Sequence, residues 1–405
     1  MSKKQIILSQ TGKYLPAATQ FLNYSDFIFP YLDEIGLDNY ECYSFYYDPG
    51  NKEFDRIYKG LTQIKYESDL VIWIIEDTLD SVDDYNWYSE KKMEGLLHLE
   101  RICRMYPEKK FILMTEQYEM DALCDVNNLK FVDLGPYAFR FDRNKYKYNV
   151  CLKKPEPSAK KWMFLNNRPG IYRILILSYI LSKNINKFGY ISVSSKIFEK
   201  IKDHKKIYSL YKTIFQFDIK TSLKLNVGYN ILKNKSFEVS DLPPFCYEKS
   251  LFIDNYNNNI IKLYEDVKLE LLSSGHFSEP TPCFCEKQYQ CFYGRNFFIY
   301  LGSPRSIWWL RKWGFDVFDD VVNHDYDLIE DPSERIIRAI DDNIHLLDGS
   351  TDLDKLWEDR EERFNQNCVV ADNIQEKLDN ECKKQILERL DEYYIPYTKT
   401  IPELL

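Results

Sequence analysis

An acidic and a basic side chain stand next to each other at Glu286 and Lys287, where a helix is predicted to begin after a turn at Cys285. The free N–H groups of a helix N-terminus attract anions, and a lysine there adds a full positive charge. A ligand with phosphates and hydroxyl groups would suit this pair, with Lys287 on a pyrophosphate and Glu286 on ribose hydroxyls. The alternative is a glutamate in the first turn of a helix, with a lysine beside it by chance. The residue types alone favour this alternative.

The segments around this pair predict the fold that would position it. Beyond the helix that begins at Glu286, the sequence predicts a strand over 296–302, a helix over 303–314, a strand over 315–318 and a helix from Pro332. A strand, a turn with glycine, a helix and another strand in succession are typical of a doubly wound α/β domain. Ligands of such domains bind beyond the carboxyl ends of the parallel strands. The sequence therefore predicts a site at this end of a sheet.

The order of these motifs resembles a known family. The runs CEKQYQCF, FFIYLGSPRSIWWLRKWGFDVFDD, HDYD and DPSER are similar to the C-terminal half of fucosyltransferase-like glycosyltransferases, and closest to phage-encoded relatives of that group. The positions that match its pattern are Glu286, Lys287, Gly302, Leu310, Arg311, Gly314, Phe315, Phe318, Tyr326, Asp327 and Arg335. Cys285 replaces a threonine of the pattern and Asn296 replaces a proline. The resemblance covers roughly residues 161–347 and supports a fold better than a substrate.

The resemblance implies a glycosyltransferase of the GT-B type, with two Rossmann-like domains, a cleft between them and a nucleotide-sugar donor. Arg173 and Lys287 would neutralise the diphosphate, and Glu286 would hold the ribose. The residues expected to bind the donor are Asn167, Arg168, Arg173, Glu286, Lys287, Gly302, Tyr326 and Asp327. For Arg168 and Arg173 the alternative is a solvated helix start. The sequence does not decide whether the acceptor is a glycan, a protein or a modified nucleobase. A non-catalytic sugar-binding, nucleotide-binding or structural protein with the same fold is the alternative function.

The first part of the chain supplies the candidates for a general base. Short apolar stretches predict strands over 4–10, 40–48, 69–77, 109–120 and 128–135, and an amphipathic pattern predicts a helix over 90–107. Glu76, Asp77 and Glu116 lie at the carboxyl ends of two of these strands, where a parallel sheet presents functional side chains. Any of the three could take the proton of an acceptor hydroxyl. The sequence does not rank them.

Two further clusters raise the question of a metal. His276, Cys283, Cys285 and Cys291 include one C-x-C pair without a second pair, which is weak evidence for structural zinc. The triplet Asp325-Tyr326-Asp327 matches the D-x-D motif with which another glycosyltransferase fold binds a divalent metal. In a chain with 63 acidic residues this match carries little weight. We therefore expect no metal and no cofactor, with the nucleotide sugar as a co-substrate.

The length of the chain and a charged stretch with two prolines predict the domain organisation. A chain of 405 residues can form two separate cores. Residues 152–161 are charged, contain two prolines and lack apolar periodicity, as a linker does. We expect an acceptor-side α/β domain over 1–151, a donor-nucleotide domain over 162–347 and a helical tail over 348–405.

Composition limits the partners and the compartment. A net charge of −9 argues against broad binding to a phosphate backbone. No apolar stretch reaches the length of a membrane span, and the N-terminus lacks the layout of a signal peptide. The ten cysteines are scattered, and a chain of this size does not need disulfides. These features predict a cytoplasmic protein, in the host cytoplasm if the source is viral.

Overall fold

The protein is described by a computed structural model. The residues that it describes are 4–8, 23–45, 61–75, 94–116, 118–136, 160–165, 171–191, 225, 227–232, 264, 266–274, 277, 282, 284 and 286–397. The strands among them are β1 (Lys4–Leu8), β2 (Tyr40–Phe45), β3 (Leu70–Ile75), β4 (Lys110–Thr115), β5 (Leu129–Asp133), β6 (Trp162–Phe164), β7 (Gly189–Ile191), β8 (Leu269–Ser273) and β9 (Phe297–Leu301).

Helices alternate with these strands. The α-helices of the described residues include α1 (Asn23–Glu34), α2 (Glu94–Met105), α3 (Ile171–Ser182), α4 (Glu286–Gly294), α5 (Ser306–Trp313), α6 (Pro332–Asp342), α7 (Ile344–Leu347), α8 (Leu353–Glu358) and α9 (Glu361–Glu392). Short 3-10 helices are formed by Met120–Leu123, Asn186–Phe188 and Asp325–Leu328. Contacts between Cα atoms divide the chain into two units, Met1–Phe141 with Ile374–Leu405, and Asp142–Asn373.

The first unit contains a sheet of five parallel strands that lie side by side in chain order, β1 to β5. Alternate residues of a strand face opposite sides of a sheet, so an apolar run such as LVIWII in β3 is buried on both sides. Ile72 packs with α1, and Trp73 packs with α2 on the opposite face. The last turns of α9 also cover the α1 face, through residues such as Ile386. The predicted strands and the predicted amphipathic helix are therefore confirmed for this unit.

The second unit contains a parallel sheet of four strands in the order β7-β6-β8-β9. The chain moves from β6 outward to β7 and then crosses to the other side of β6 to form β8. The order reverses between β6 and β8, and such a reversal is where α/β sheets bind ligands. The described strands of the first sheet contain no such reversal. Apolar residues of α3 and α6 pack with β8 and β9 in the main core of this unit.

The class is therefore α/β, with parallel sheets and helices between the strands, as the sequence predicts. The predicted linker at 152–161 lies mostly outside the described residues, so its position stays a prediction. The tail expected over 348–405 does not form a separate unit by these contacts. Residues up to 373 group with the second unit and later ones with the first.

The predicted strand over 315–318 is wrong. Residues 315–318 form no strand, because the Asp316 side chain accepts a hydrogen bond from the Phe318 backbone N–H at 2.8 Å. Phe318 also has a φ of +59°, which breaks an extended backbone. The apolar side chains are nevertheless buried, and the Phe315 ring stacks on Phe292 with 3.8 Å between centroids. The alternation of the sequence therefore comes from core packing in an irregular segment.

Candidate functional site

Two positively charged side chains lie at the carboxyl end of β8. Lys287, in the first turn of α4, donates from Nζ to the carbonyl oxygen of Ser273 at 2.9 Å. Arg173, in the first turn of α3, donates from Nη2 to the carbonyl oxygen of Ser274 at 3.1 Å. Helix α3 follows β6 and helix α4 follows β8, so the reversal of strand order places both helix starts beside one another. The structure thus brings together two residues that the sequence predicts to share a site.

For the binding of a ligand, the positive charges of Arg173 and Lys287 matter more than their two hydrogen bonds to backbone carbonyls. A backbone carbonyl carries a partial negative charge, whereas a guanidinium and an ammonium group each carry a full positive charge. Arg173 is only 5% exposed and Lys287 is half-buried, so water screens their charges less than it does on the surface. A diphosphate would offer both groups charged oxygens, which form stronger hydrogen bonds than neutral carbonyls do.

A buried carboxyl group lies behind this pair. Glu270, in the middle of β8, is 2% exposed and accepts a hydrogen bond from the Tyr264 hydroxyl at 3.0 Å. Burial raises the pKa of Glu270 to about 7, while Tyr264, the Lys287 charge and the Cys291 thiol act in the opposite direction. Glu270 therefore titrates near neutral pH in the electrostatic field of Lys287. A single acidic residue in the apolar strand LELLS could have drawn attention to it from the sequence.

The titration of Glu270 predicts a pH dependence of stability. Its pKa is about 7 in the folded protein against 4.5 for an exposed glutamate, so the folded state binds the proton more tightly. This contribution to stability is complete below pH 4.5 and is lost as the pH rises through 7. Through Glu270, the free energy of unfolding of the wild type is expected to fall by on the order of 3 kcal/mol between pH 5 and pH 8. The variant Glu270→Gln should not show this fall. Urea unfolding of both proteins at the two pH values measures this difference.

Glu388→Gln provides the matched control, because Glu388 is exposed and forms only an i,i+4 ion pair with Lys384. Its pH dependence is expected to equal that of the wild type. If Glu270→Gln and the wild type lose the same stability between pH 5 and pH 8, Glu270 does not titrate in this range.

Tyr326 and Asp327 are occupied by contacts within the second unit. The Asp327 carboxylate accepts hydrogen bonds from the backbone N–H groups of Ile307, at 3.1 Å, and Trp308, at 3.2 Å, and so caps α5. Burial raises the pKa of Asp327 to about 6, and these N–H groups and the Arg335 charge oppose that shift. The Tyr326 hydroxyl accepts a hydrogen bond from the Tyr300 backbone N–H at 2.9 Å. The structure shows capping and packing roles here, and the predicted donor contacts stay predictions.

Gly302 owes its identity to the close approach of an aromatic ring. A Cβ atom at this position would lie 2.5 Å from the ring of Tyr300, so a larger residue does not fit without movement. The Gly302 carbonyl accepts a hydrogen bond from Arg335 Nε at 2.8 Å. The Arg335 guanidinium also donates to the carbonyls of Phe277, Ile329 and Glu330. This network joins the end of β9 and Phe277 to the segment that precedes α6.

Several predicted residues lie outside the described part of the structure, namely Glu76, Asp77, Asn167, Arg168, His276, Cys283, Cys285 and the side chain of Glu286. Glu116 is described. It directly follows β4 at the carboxyl end of the first sheet and is buried. Its role as a base stays a prediction.

Cys291, one of the four residues of the weak zinc cluster, is fully buried on α4. Burial raises the pKa of its thiol well above the usual value, and the thiol donates to the Asn296 carbonyl. Within the described residues, no group of three histidine, cysteine or acidic side chains is arranged to hold a metal. Metal independence stays a prediction.

Comparison of the chain with protein-family models, curated proteins and solved structures finds no match. Among the helices that the structure describes, none is both long and apolar enough to span a membrane. The geometry around Arg173 and Lys287 is therefore the main structural guide to function.

Proposed function

We propose that the protein is a glycosyltransferase that moves a sugar from a nucleotide-sugar donor to an acceptor hydroxyl group. The two α/β units would correspond to the two Rossmann-like domains of a GT-B enzyme. The observation that carries the proposal is the meeting of Arg173 and Lys287 at the carboxyl end of β8, next to the reversal of strand order. The resemblance of residues 161–347 to fucosyltransferase-like enzymes supports the same function.

The proposed chemistry places the negative charge of the leaving group against these cations. The acceptor oxygen attacks the anomeric carbon, and the bond from that carbon to the diphosphate oxygen breaks. The bonding electrons leave with the nucleoside diphosphate, whose growing charge Arg173 and Lys287 stabilise. A general base removes the proton of the acceptor hydroxyl. Glu116 is the described candidate for this base, beside Glu76 and Asp77.

A second candidate function is binding of a sugar or nucleotide without catalysis. Two departures from the family pattern favour it, Cys285 in place of a threonine and Asn296 in place of a proline. Turnover separates the two functions, since only an enzyme releases free nucleoside diphosphate.

A panel of UDP-, GDP- and CMP-sugars, screened by thermal shift, tests the proposal. A ligand that binds only the folded state stabilises it by about 2.7 kcal/mol at 100 times its Kd. We expect one nucleotide class to raise the melting temperature and the matching nucleoside diphosphate to do the same without its sugar. If no member of the panel shifts the melting temperature at millimolar concentration, the protein binds none of these donors and the proposed function fails.

Metal independence is expected for the same site. Two fixed cations can meet the charge of a leaving diphosphate without the octahedral ligand set that magnesium requires. The donor-induced thermal shift and the turnover should therefore persist in excess EDTA. Loss of turnover with EDTA and its return with manganese would instead make the Asp325–Asp327 triplet a candidate metal site.

A further inference from the structure

The second unit also has an open cleft with a volume of about 760 Å³. Helix α5, the loop that follows it and the end of α6 form its walls. The side chains that line it include Trp308, Arg311, Asp319, Asn323, Asp325 and His345. Arg173 and Lys287 do not line it, so the cleft is a separate feature. It is large enough for a small organic ligand.

An exposed aromatic ring lies in this cleft. Trp308 is 47% exposed although it belongs to a helix whose other tryptophans, Trp309 and Trp313, are buried. Leu328, which also lines the cleft, is exposed as well. Exposed large apolar side chains that share a concave surface point to a ligand with an apolar face.

Three of the five carboxylates that line the cleft are paired with arginines. Asp319 pairs with Arg311, and Asp342 pairs with Arg338 at 3.3 Å. Asp320 pairs with both Arg360 and Arg363. These pairs hold the carboxylates in place as hydrogen-bond acceptors without creating a strong negative potential. The exposed side chains of Asn323, Asp325 and His345 add further polar groups.

This lining disfavours charged ligands of either sign. An anion would meet several carboxylates. A cation would find Asp319, Asp320 and Asp342 already paired with arginines. A fully apolar ligand would leave the fixed carboxylates without partners. A neutral ligand with many hydroxyl groups and one apolar face satisfies all of these conditions.

We propose that this cleft is a saccharide-binding site in which Trp308 stacks on the apolar face of a sugar ring. The axial and equatorial C–H groups of a pyranose form such a face, and the face packs on an indole ring. The hydroxyl groups around the ring donate hydrogen bonds to carboxylates such as Asp325. They also accept from, or donate to, the side-chain amide of Asn323. The site rests on the lining of the cleft and not on Arg173 or Lys287. Asp327, which the resemblance assigns to the donor, also lies in this lining, where its carboxylate caps α5.

Saturation-transfer NMR tests the proposal with an equimolar mixture of the methyl glycosides of glucose, galactose, mannose, fucose and N-acetylglucosamine. These probes lack phosphate and so do not report on Arg173 or Lys287. We expect saturation of the ring protons of at least one glycoside by the wild-type protein. Trp308→Ala should weaken this binding roughly tenfold or more, and Trp308→Phe, which keeps a ring, should weaken it less.

Val369→Ala is the matched control, because Val369 is equally exposed, at 50%, in the same unit but does not line the cleft. It should bind like the wild type. The melting temperatures of all variants report on their folding, and exposed positions should change them little. The proposal is overturned if no glycoside is saturated, or if Trp308→Ala binds as tightly as Val369→Ala. It is also overturned if spermidine, used as a cationic probe, binds in a Trp308-dependent way and the glycosides do not.

Discussion

Replacement of Arg335 by alanine is expected to lower the free energy of unfolding by about 3–5 kcal/mol, the largest effect that the structure predicts. The side chain is 2% exposed and donates to four backbone carbonyls, which belong to Phe277, Gly302, Ile329 and Glu330. Its removal leaves buried carbonyls, such as those of Phe277 and Gly302, without this donor and opens a cavity beside the end of β9. Arg335→Lys should recover only a part of the loss, because an ammonium group cannot reach several carbonyls in one plane.

The control lies one turn further along α6. Arg338 is more than half exposed and forms an i,i+4 ion pair with Asp342, so Arg338→Ala should cost no more than about 0.5 kcal/mol. The midpoints of urea unfolding of the three variants and the wild type measure these differences. Equal midpoints for Arg335→Ala and Arg338→Ala would show that the buried network contributes little to stability.

Lys287→Ala is expected to weaken binding of the nucleotide-sugar donor by roughly tenfold to 100-fold, because it removes one charge-assisted hydrogen bond to the diphosphate. The side chain is half-buried at the start of a helix, and its removal leaves α4 in place, so the melting temperature should change little. Isothermal titration with the donor that the panel identifies measures the affinity of the folded variant.

Lys183→Ala is the control for a loss of surface charge in the same unit. Lys183 follows α3 and pairs with Asp341, away from the carboxyl end of β8. It should bind the donor like the wild type, which separates a local contact from a general change of potential. An unchanged affinity in Lys287→Ala would remove this lysine from the site.

Strands that are buried on both faces could be predicted from the sequence because their signal is local. The runs LVIWII in β3 and FFIYL in β9 are apolar at every position, which is typical of strands in a parallel sheet that helices cover on both faces. The segment predicted as a strand at 315–318 is apolar except for Asp316 and pairs with no strand among the residues that the structure describes. Its Asp316 is instead paired with Arg363, a contact that depends on how α9 packs.

The site could be predicted in part for a similar reason. The resemblance implies that Arg173 and Lys287 both contact the donor diphosphate. Each lies in a helix that follows a parallel strand, which is consistent with a place at one edge of the sheet. The role of Asp327 could not be predicted from the sequence. Its carboxylate is used by the backbone of α5, and the sequence does not show which helix start will lie beside a given acidic residue. The burial of Glu270 likewise depends on Tyr264 and α4, which only the folded chain brings together.

A crystal structure with the nucleotide sugar bound tests the central claim most directly. The account predicts the diphosphate at the carboxyl end of β8, with its oxygens within hydrogen-bonding distance of Lys287 Nζ and Arg173 Nη2. The two side chains should then have exchanged the carbonyls of Ser273 and Ser274 for phosphate oxygens. A diphosphate bound elsewhere, with both side chains still on those carbonyls, would contradict the account.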